Sequence, residues 1–228
     1  MIREKGIVPS SLLCVTFTNK AAREMRERIG KALGTEIGNN PYRNHHLPMI
    51  GTFHSIGVVF LKEILARYSS EELGIGLKKD FIIYDETDKV AVLKSIIKEE
   101  LQLDEKRYPP RQIAFYISNA KNALLSPKEY EQEVDSPIKE VVRDVYYKYE
   151  ARLTQNNALD FDDILLKVYR LLSHEKILIQ YQNRFQYIMV DEYQDTNAPQ
   201  YHIIRLLAAR HRNLAVVGDD WQSIYSWR

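Results

Sequence analysis

The sequence predicts an α/β fold in which a parallel-sheet domain is interrupted by an all-helical inserted domain. Short apolar runs, each followed by an amphipathic helix, occur near both ends of the chain, an alternation typical of parallel sheets. Between them, residues 85–157 show only helical periodicity. We therefore expect residues 1–84 and 159–228 to be two parts of one α/β domain, and residues 85–158 to be the helical insert.

The first α/β part begins with an apolar, β-prone run at residues 12–17, which predicts a buried strand. Thr18 and Asn19 are suitable N-caps for the helix that follows, and Gly34 is a suitable end for it. Apolar residues recur in this helix at Ala22, Met25, Ile29 and Leu33. After a predicted surface loop at 35–48, a strand at 49–53 leads into a helix at about 55–68.

Helical periodicity predicts the elements of the insert, and the alternation of apolar runs with amphipathic helices predicts those of the second α/β part. Three amphipathic helices are predicted at about 90–101, 113–124 and 141–153, with prolines before the second and third. The α/β alternation then returns as helix 161–172, strand 187–190, helix 199–210 and strand 214–217.

Composition excludes several classes of protein. The 228 residues are 45% hydrophobic and 28% charged, which excludes collagen, low-complexity chains and disordered chains poor in apolar residues. The single cysteine, Cys14, cannot form an internal disulfide, and this suits a reducing compartment. No apolar run approaches the roughly 18 residues of a membrane span, and no signal-peptide core follows Met1. The sequence predicts a cytoplasmic, soluble protein without a membrane partner.

Net charge does not by itself indicate a nucleic-acid partner. The chain has 32 basic and 31 acidic residues, giving a formal charge of +1. A protein that bound nucleic acid by bulk charge would be more basic. Any such site must be local and built from individually placed side chains.

Carboxylates follow two of the predicted strands. Asp191 and Glu192 end the strand at 187–190, and Asp219 and Asp220 follow the strand at 214–217. Ligands of parallel sheets bind at the carboxyl ends of the strands. An aspartate there can hold Mg²⁺, and a neighbouring glutamate can activate a water for nucleotide hydrolysis. Apolar strands that end in acidic turns are also common without function, so this pattern alone is weak.

Five segments, in order along the chain, resemble motifs of the UvrD/PcrA/Rep group of superfamily-1 DNA helicases. TFTNKAA at residues 16–22 resembles motif Ia, GTFHS at 51–55 motif Ib, and LDFDD at 159–163 the short motif after the helical insert. DEYQDTN at 191–197 resembles motif II, and VGDD, QSIY and WR within 217–228 resemble motif III. The resemblance implies a RecA-like, P-loop NTPase-type domain of a DNA-repair-type, ATP-dependent DNA helicase, an ATP hydrolase that translocates 3′ to 5′. It also implies ATP and Mg²⁺ as cofactors, and single-stranded DNA and its junctions with duplex DNA as partners.

The resemblance also implies roles for the matching residues. Asp191 would bind Mg²⁺ and nucleotide, Glu192 would be the catalytic base, and Gln222 would sense the γ-phosphate. Single-stranded bases would stack on Phe17, Tyr225 and Trp227, because every base has a π-face. The remaining predicted DNA contacts are Thr16, Asn19, Thr52 and His54.

Several of these residues have simpler structural interpretations. Phe17 and Phe53 are typical core residues at strand ends, and His54 is equally well a structural histidine. Asp160, Asp162 and Asp163 could form a metal site, but helix capping is favoured. Trp221 stands where the family usually has a third aspartate.

The 228 residues contain no Gly-x-x-x-x-Gly-Lys-Ser/Thr phosphate-binding loop, since the only Gly-Lys pair, Gly30-Lys31, is followed by Ala32. In the family this loop lies just before motif Ia, and a second motor domain supplies an arginine finger. We therefore expect this chain alone to be inactive. We also expect the sheet to expose an apolar edge that favours self-association.

Two other functions stay open at this stage. The chain could be a non-catalytic module that binds single-stranded DNA or a protein. It could also be the helicase part of a RecB/AddA-type helicase–nuclease, although the form of motif III favours the UvrD side. The DNA flanking the coding segment would distinguish a truncated helicase from a stand-alone module.

Overall fold

The computed structural model describes residues 2–34 and 46–219. Contacts divide the chain into two compact units. We call Met1–Phe60 with Val168–Arg228 the sheet unit, and Leu61–Lys167 the helical unit. These divisions lie outside the predicted boundaries at 84/85 and 158/159, which stay a prediction.

Strands and helices alternate in the sheet unit, whereas helices predominate in the helical unit. The strands are β1 (Leu12–Thr16), β2 (Met49–Thr52), β3 (Ile82–Tyr84), β4 (Ala158–Asp160), β5 (Tyr187–Val190) and β6 (Leu214–Val216). The helices are α1 (Ile2–Lys5), α2 (Asn19–Leu33), α3 (Phe53–Leu65), α4 (Ser70–Leu73), α5 (Glu86–Ser95), α6 (Pro110–Asn122), α7 (Pro127–Tyr130), α8 (Pro137–Gln155), α9 (Phe161–Leu172), α10 (Glu175–Arg184) and α11 (Ala198–Ala208).

The sheet unit is built on four parallel strands in the order β2-β1-β5-β6. All five residues of β1 are buried, as expected for a strand that lies between two others in a parallel sheet. Thr16 pairs with Thr52, and Val190 pairs with both Val15 and Val216. The four strands therefore end together, at what we call the carboxyl edge. The predicted α/β class and parallel sheet are confirmed.

Local sequence explains where α2 begins and ends. The Thr18 hydroxyl accepts a hydrogen bond from the backbone N–H of Ala21, which makes Thr18 the N-cap. Gly34 ends the helix in the left-handed conformation, with φ of 69°, which a side chain would disfavour. The predicted strand, cap, helix and stop are confirmed in this segment.

The helical unit has its own apolar core, formed mainly by α5, α6 and α8. Fully buried members include Leu93, Ile117, Val145 and Tyr149. Residues 85–157 form only helices and turns, as predicted. The unit as a whole is not all-helical, however, because β3 and β4 pair in parallel within it. The all-helical insert is therefore not confirmed.

The observed bounds of two further helices differ from the predicted ones. The predicted helix at 55–68 begins earlier and ends earlier, as α3. The predicted helix at 199–210 lies at 198–208, and α9 agrees with its prediction at both ends. Among the residues that the structure describes, no helix is both long and apolar enough to cross a bilayer.

Candidate functional site

The candidate site lies at the carboxyl edge of the sheet unit. Asp191 and Glu192 follow β5 directly, and Gly218 and Asp219 come just after β6. Phe17 follows β1 at the same edge. Because the strands are parallel and in register, the fold brings together residues that are as much as 200 positions apart in the chain. The sequence predicted this convergence.

Asp191 is held by groups from β1. Its backbone N–H donates to the carbonyl of Val15 over 2.9 Å, which extends the β1–β5 ladder by one residue. The Thr16 hydroxyl donates to Asp191 Oδ2 over 3.4 Å. Thr16 is fully buried, so its side chain faces this carboxylate. The observed contact supports an orienting role for Thr16, and the DNA contact predicted for this residue stays a prediction.

Glu192 has a left-handed backbone conformation, with φ of 52° and ψ of 43°. Such values are uncommon for a residue with a side chain and often occur at functional turns. The conformation turns the chain out of β5 into a short 3-10 turn at Tyr193–Asp195. The Gln194 side chain donates from Nε2 to Glu192 Oε2 over 2.7 Å. This hydrogen bond restrains the Glu192 carboxylate.

The segment after β5 is also tied to β6. The backbone N–H of Val217 donates to Val190, and that of Tyr193 donates to Val217, over 2.8 and 2.9 Å. Further along the same segment, Asp195 Oδ1 and Thr196 Oγ1 are buried and have no hydrogen-bond partner among the described residues. Buried polar atoms are normally paired, so these two support a binding role for this part of the edge.

The donors at this edge suit Mg²⁺ bound together with phosphates. Asp191 and Glu192 offer carboxylate oxygens, the ligand type that Mg²⁺ prefers. No group of three or more His, Cys, Asp or Glu residues that could hold a metal occurs within residues 2–34 and 46–219. Mg²⁺ commonly uses one or two carboxylates and completes its shell with water and substrate phosphates. The residues present therefore fit an ion that is bound together with a nucleotide.

Phe17 contacts Phe53 at the ends of β1 and β2. The ring centroids are 5.7 Å apart and the planes are inclined by 69°, an edge-to-face pair. Phe53 is buried, as its structural interpretation predicts, whereas Phe17 is half-buried. The contact with Phe53 and the partial exposure of Phe17 are compatible with the predicted stacking of a base on Phe17.

The other predicted DNA contacts lie at the starts of helices. The Thr52 hydroxyl accepts from the backbone N–H of Ser55 over 3.2 Å and caps α3. Only 8% of Thr52 is exposed. His54 is half-buried in the first turn of α3, and Asn19 is exposed as the first residue of α2. Three further predicted site residues lie outside the described residues: Gln222, Tyr225 and Trp227.

A cluster that the sequence did not predict lies in the helical unit, at the start of α9. Asp160 and Asp163 form a capping box, in which each side chain accepts the other's backbone N–H. Lys121 is completely buried and lies within 3.0 Å of carboxylate oxygens of Asp160, Asp163 and Glu150. The capping interpretation of Asp160 and Asp163 is confirmed, and lysines occupy the place where a metal was considered.

A second lysine completes this cluster. Lys89 is 3% exposed and lies 3.2 Å from Asp160 and 2.8 Å from Asp162. Burial disfavours ionisation of Asp160, but Lys121 and Lys89 outweigh it and hold its pKa well below the usual range. Burial, aided by repulsion from Asp160 and Glu150, raises the pKa of Asp163 to about 7.

Comparison with known proteins agrees with this geometry. Residues 1–228 match the family described as the UvrD/REP helicase N-terminal domain. The chain is 41% identical over 229 residues to the ATP-dependent DNA helicase PcrA of Staphylococcus aureus strain Mu50. It is 42% identical to the PcrA of Bacillus subtilis strain 168 and 41% identical to that of Leuconostoc citreum, again over 229 residues. In each case all of this chain is covered, and it spans 29% of the relative's length.

Proposed function

The chain belongs to the UvrD/REP helicase N-terminal domain family, and on this premise we propose that it forms part of the first motor domain of an ATP-dependent DNA helicase. The whole protein binds single-stranded DNA and its junctions with duplex DNA. It translocates 3′ to 5′ and couples ATP hydrolysis to unwinding. The observation that carries the proposal is the carboxyl edge, where Asp191, Glu192 and Phe17 lie at the ends of neighbouring parallel strands.

Glu192 is the proposed catalytic base. Its carboxylate accepts a proton from the attacking water, and the Gln194 amide keeps one of its oxygens in place. Phosphoryl transfer depends mainly on positioning, so a fixed carboxylate is more useful than a mobile one.

Asp191 is the proposed ligand of the nucleotide's Mg²⁺, and Thr16 orients it through the observed hydrogen bond. When bound, Mg²⁺ would neutralise charge that develops on the phosphates. Gln222, for which the γ-phosphate contact is proposed, follows β6 by six positions. The phosphate cradle and the arginine finger are not among these 228 residues, so we propose that the isolated chain does not hydrolyse ATP.

The DNA-binding part of the proposal relies on the aromatic ring at the end of β1. Phe17 is held by Phe53 and remains partly exposed, while Tyr225 and Trp227 would add further platforms. Asn19, Thr52 and His54 lie at helix starts, where backbone N–H groups favour phosphates.

Binding of labelled oligothymidylate of about 20 nucleotides, followed by fluorescence anisotropy, tests this proposal. We expect the Phe17→Ala variant to bind about tenfold more weakly, since one stacked base contributes roughly 1–3 kcal/mol. The matched control is Phe115→Ala, because Phe115 is 62% exposed on α6 of the helical unit.

Phe17→Tyr keeps the ring and should restore affinity, which separates stacking from a loss of packing against Phe53. Equal affinities of the native chain and Phe17→Ala would remove Phe17 from the DNA site. Absence of any oligothymidylate binding by the native chain would contradict DNA binding by this segment.

A further inference from the structure

The side chain of Gln194 joins the two acidic strand ends. Its Nε2 donates to Glu192 Oε2 over 2.7 Å, and its Oε1 accepts the backbone N–H of Asp219 over 3.1 Å. One end of the amide therefore contacts the carboxylate after β5, and the other contacts the backbone just beyond β6.

This arrangement fixes the orientation of the amide. A carboxylate can only accept a hydrogen bond, and a backbone N–H can only donate one. A reversed amide would place oxygen against the Glu192 carboxylate and NH₂ against the Asp219 N–H, so both contacts would be lost. Among uncharged side chains of this length, glutamine alone supplies a donor and an acceptor at one end.

Gly218 makes room for the amide. A Cβ on Gly218 would lie 2.6 Å from Gln194 Oε1 and 3.4 Å from the backbone nitrogens of Gln194 and Tyr193. A methyl group at this position would therefore push the Gln194 oxygen away from the Asp219 N–H. The close approach of the two segments explains why a residue without a side chain stands here.

We propose that Gln194 is a positioning residue that holds Glu192 and the end of β6 as one unit. Movement of the backbone at 218–219 then moves the carboxylate through a single amide, in addition to the backbone hydrogen bond from Tyr193 to Val217. The consequence for hydrolysis rests on the proposed role of Glu192 as catalytic base. The structural part stands independently of that role.

Amide hydrogen exchange of the 228-residue chain, measured by NMR, tests the structural part. In Gln194→Ala we expect the Asp219 amide to exchange about fivefold faster, the change that one net hydrogen bond supports. Gly218→Ala should give the same increase while leaving Gln194 present. Gln112→Ala, at an exposed position of α6, is the control and should change nothing.

Steady-state hydrolysis tests the positioning part. It uses a chimaera in which this chain replaces the 229 matched residues of the Bacillus subtilis PcrA. Both Gln194→Ala and Gln194→Glu remove the donor to Glu192, so kcat should fall about tenfold or more while KM for ATP stays within about twofold. Because Gln194→Glu also places a second carboxylate against Glu192, Gln194→Ala carries the comparison: a merely structural residue would change kcat and KM for ATP together, whereas loss of positioning lowers kcat alone.

The possible results test the link to β6, the positioning of Glu192 and the proposed function separately. Unchanged Asp219 exchange in both Gln194→Ala and Gly218→Ala would overturn the link to β6. Full kcat in Gln194→Ala would overturn the positioning of Glu192. A chimaera that has native Gln194 and shows no DNA-stimulated hydrolysis would contradict the proposed function, while the exchange experiment would still decide the structural part.

Discussion

Two buried lysines of the helical unit show how burial changes the structural role of a charged side chain. Lys121 is fully buried among three carboxylates, and Lys89 is almost so. Nothing in the sequence distinguishes them from exposed lysines such as Lys98, because a lysine on an amphipathic helix is normally solvated. Their role depends on long-range contacts between helices and the start of α9, which no local pattern encodes.

Replacement of Lys121 by Met should strongly destabilise the helical unit. The substitution leaves Asp160, Asp163 and Glu150 buried without their main cation. Breaking a buried ion pair from one side typically costs about 3–5 kcal/mol. Urea unfolding followed by circular dichroism measures this loss. Lys128→Met, at an exposed position of α7, is the matched control and should change the free energy of unfolding by less than about 0.5 kcal/mol. A similarly small change for Lys121→Met would contradict the importance of the cluster.

The same cluster predicts how stability depends on pH. The pKa of Asp163 is raised to about 7, so between about pH 8 and pH 5 the folded state takes up a proton that the unfolded state does not. The free energy of unfolding should therefore rise as the pH falls through this range. Below about pH 4 the free energy of unfolding should fall. The pKa of Asp160 is lowered in the folded state, so in this range Asp160 takes up a proton only when the protein is unfolded.

Urea unfolding at a series of pH values measures this profile. Asp163→Asn, which cannot titrate, should lose the rise between about pH 8 and pH 5 and keep the fall at lower pH. A native profile that is flat from pH 8 to pH 5 would show that Asp163 does not take up the proton.

At the scale of elements, the sequence predicted those that have strong local signals. Helix α9 has a capping aspartate, an apolar stripe and a clear end, and its prediction agrees at both ends. Strands β3 and β4 have three residues each, which is too short for a periodic pattern, and Ile82 and Ile83 of β3 are exposed, whereas the residues of β4 are buried. Helix α10 begins only three residues after α9 and has many polar residues, so it was missed. Whether such elements form depends on pairing and packing with residues that are distant in the sequence.

Strand β6 forms an exposed apolar edge. In the part of the chain that the structure describes, it pairs with β5 on one side and with no strand on the other. All three of its residues are exposed, and Val216 is 46% exposed, unlike the buried residues of β1. Unpaired apolar edges are templates for association with another strand. This agrees with the expectation that the sheet would expose such an edge.

We expect the native chain to self-associate through β6 and Val216→Lys to suppress this association. A charge on an edge strand opposes pairing with a second copy. Light scattering over a range of protein concentrations measures the effect. Val8→Lys is the matched control, because Val8 is an exposed apolar residue outside any strand. A native chain that stays monomeric at all concentrations would contradict this role of β6.

Across the whole molecule, the order of motifs predicts which strand ends meet, while the domain boundaries and the roles of the site residues stay predictions. Motifs Ia, Ib and II are far apart in the sequence, yet the parallel register brings their ends to one edge. A parallel sheet always gathers the carboxyl ends of its strands, so motifs that end strands must meet. Domain boundaries depend instead on the sum of contacts, and the compact units divide at positions that no local signal marks.

We expect the carboxyl edge to supply only part of the proposed catalytic site, and therefore not to support turnover of ATP by itself. The carboxyl edge supplies Asp191 and Glu192, but phosphoryl transfer also needs a phosphate cradle and a charge on the opposite side of the nucleotide. We therefore expect the 228-residue chain to release no phosphate from ATP, with or without single-stranded DNA. The Bacillus subtilis PcrA chimaera, in which the rest of the protein is present, should hydrolyse ATP when DNA is added. Glu192→Gln in the chimaera should lower kcat by about 10²-fold or more, as loss of a general base does. Clear DNA-stimulated phosphate release by the isolated chain would show that these residues form a complete site.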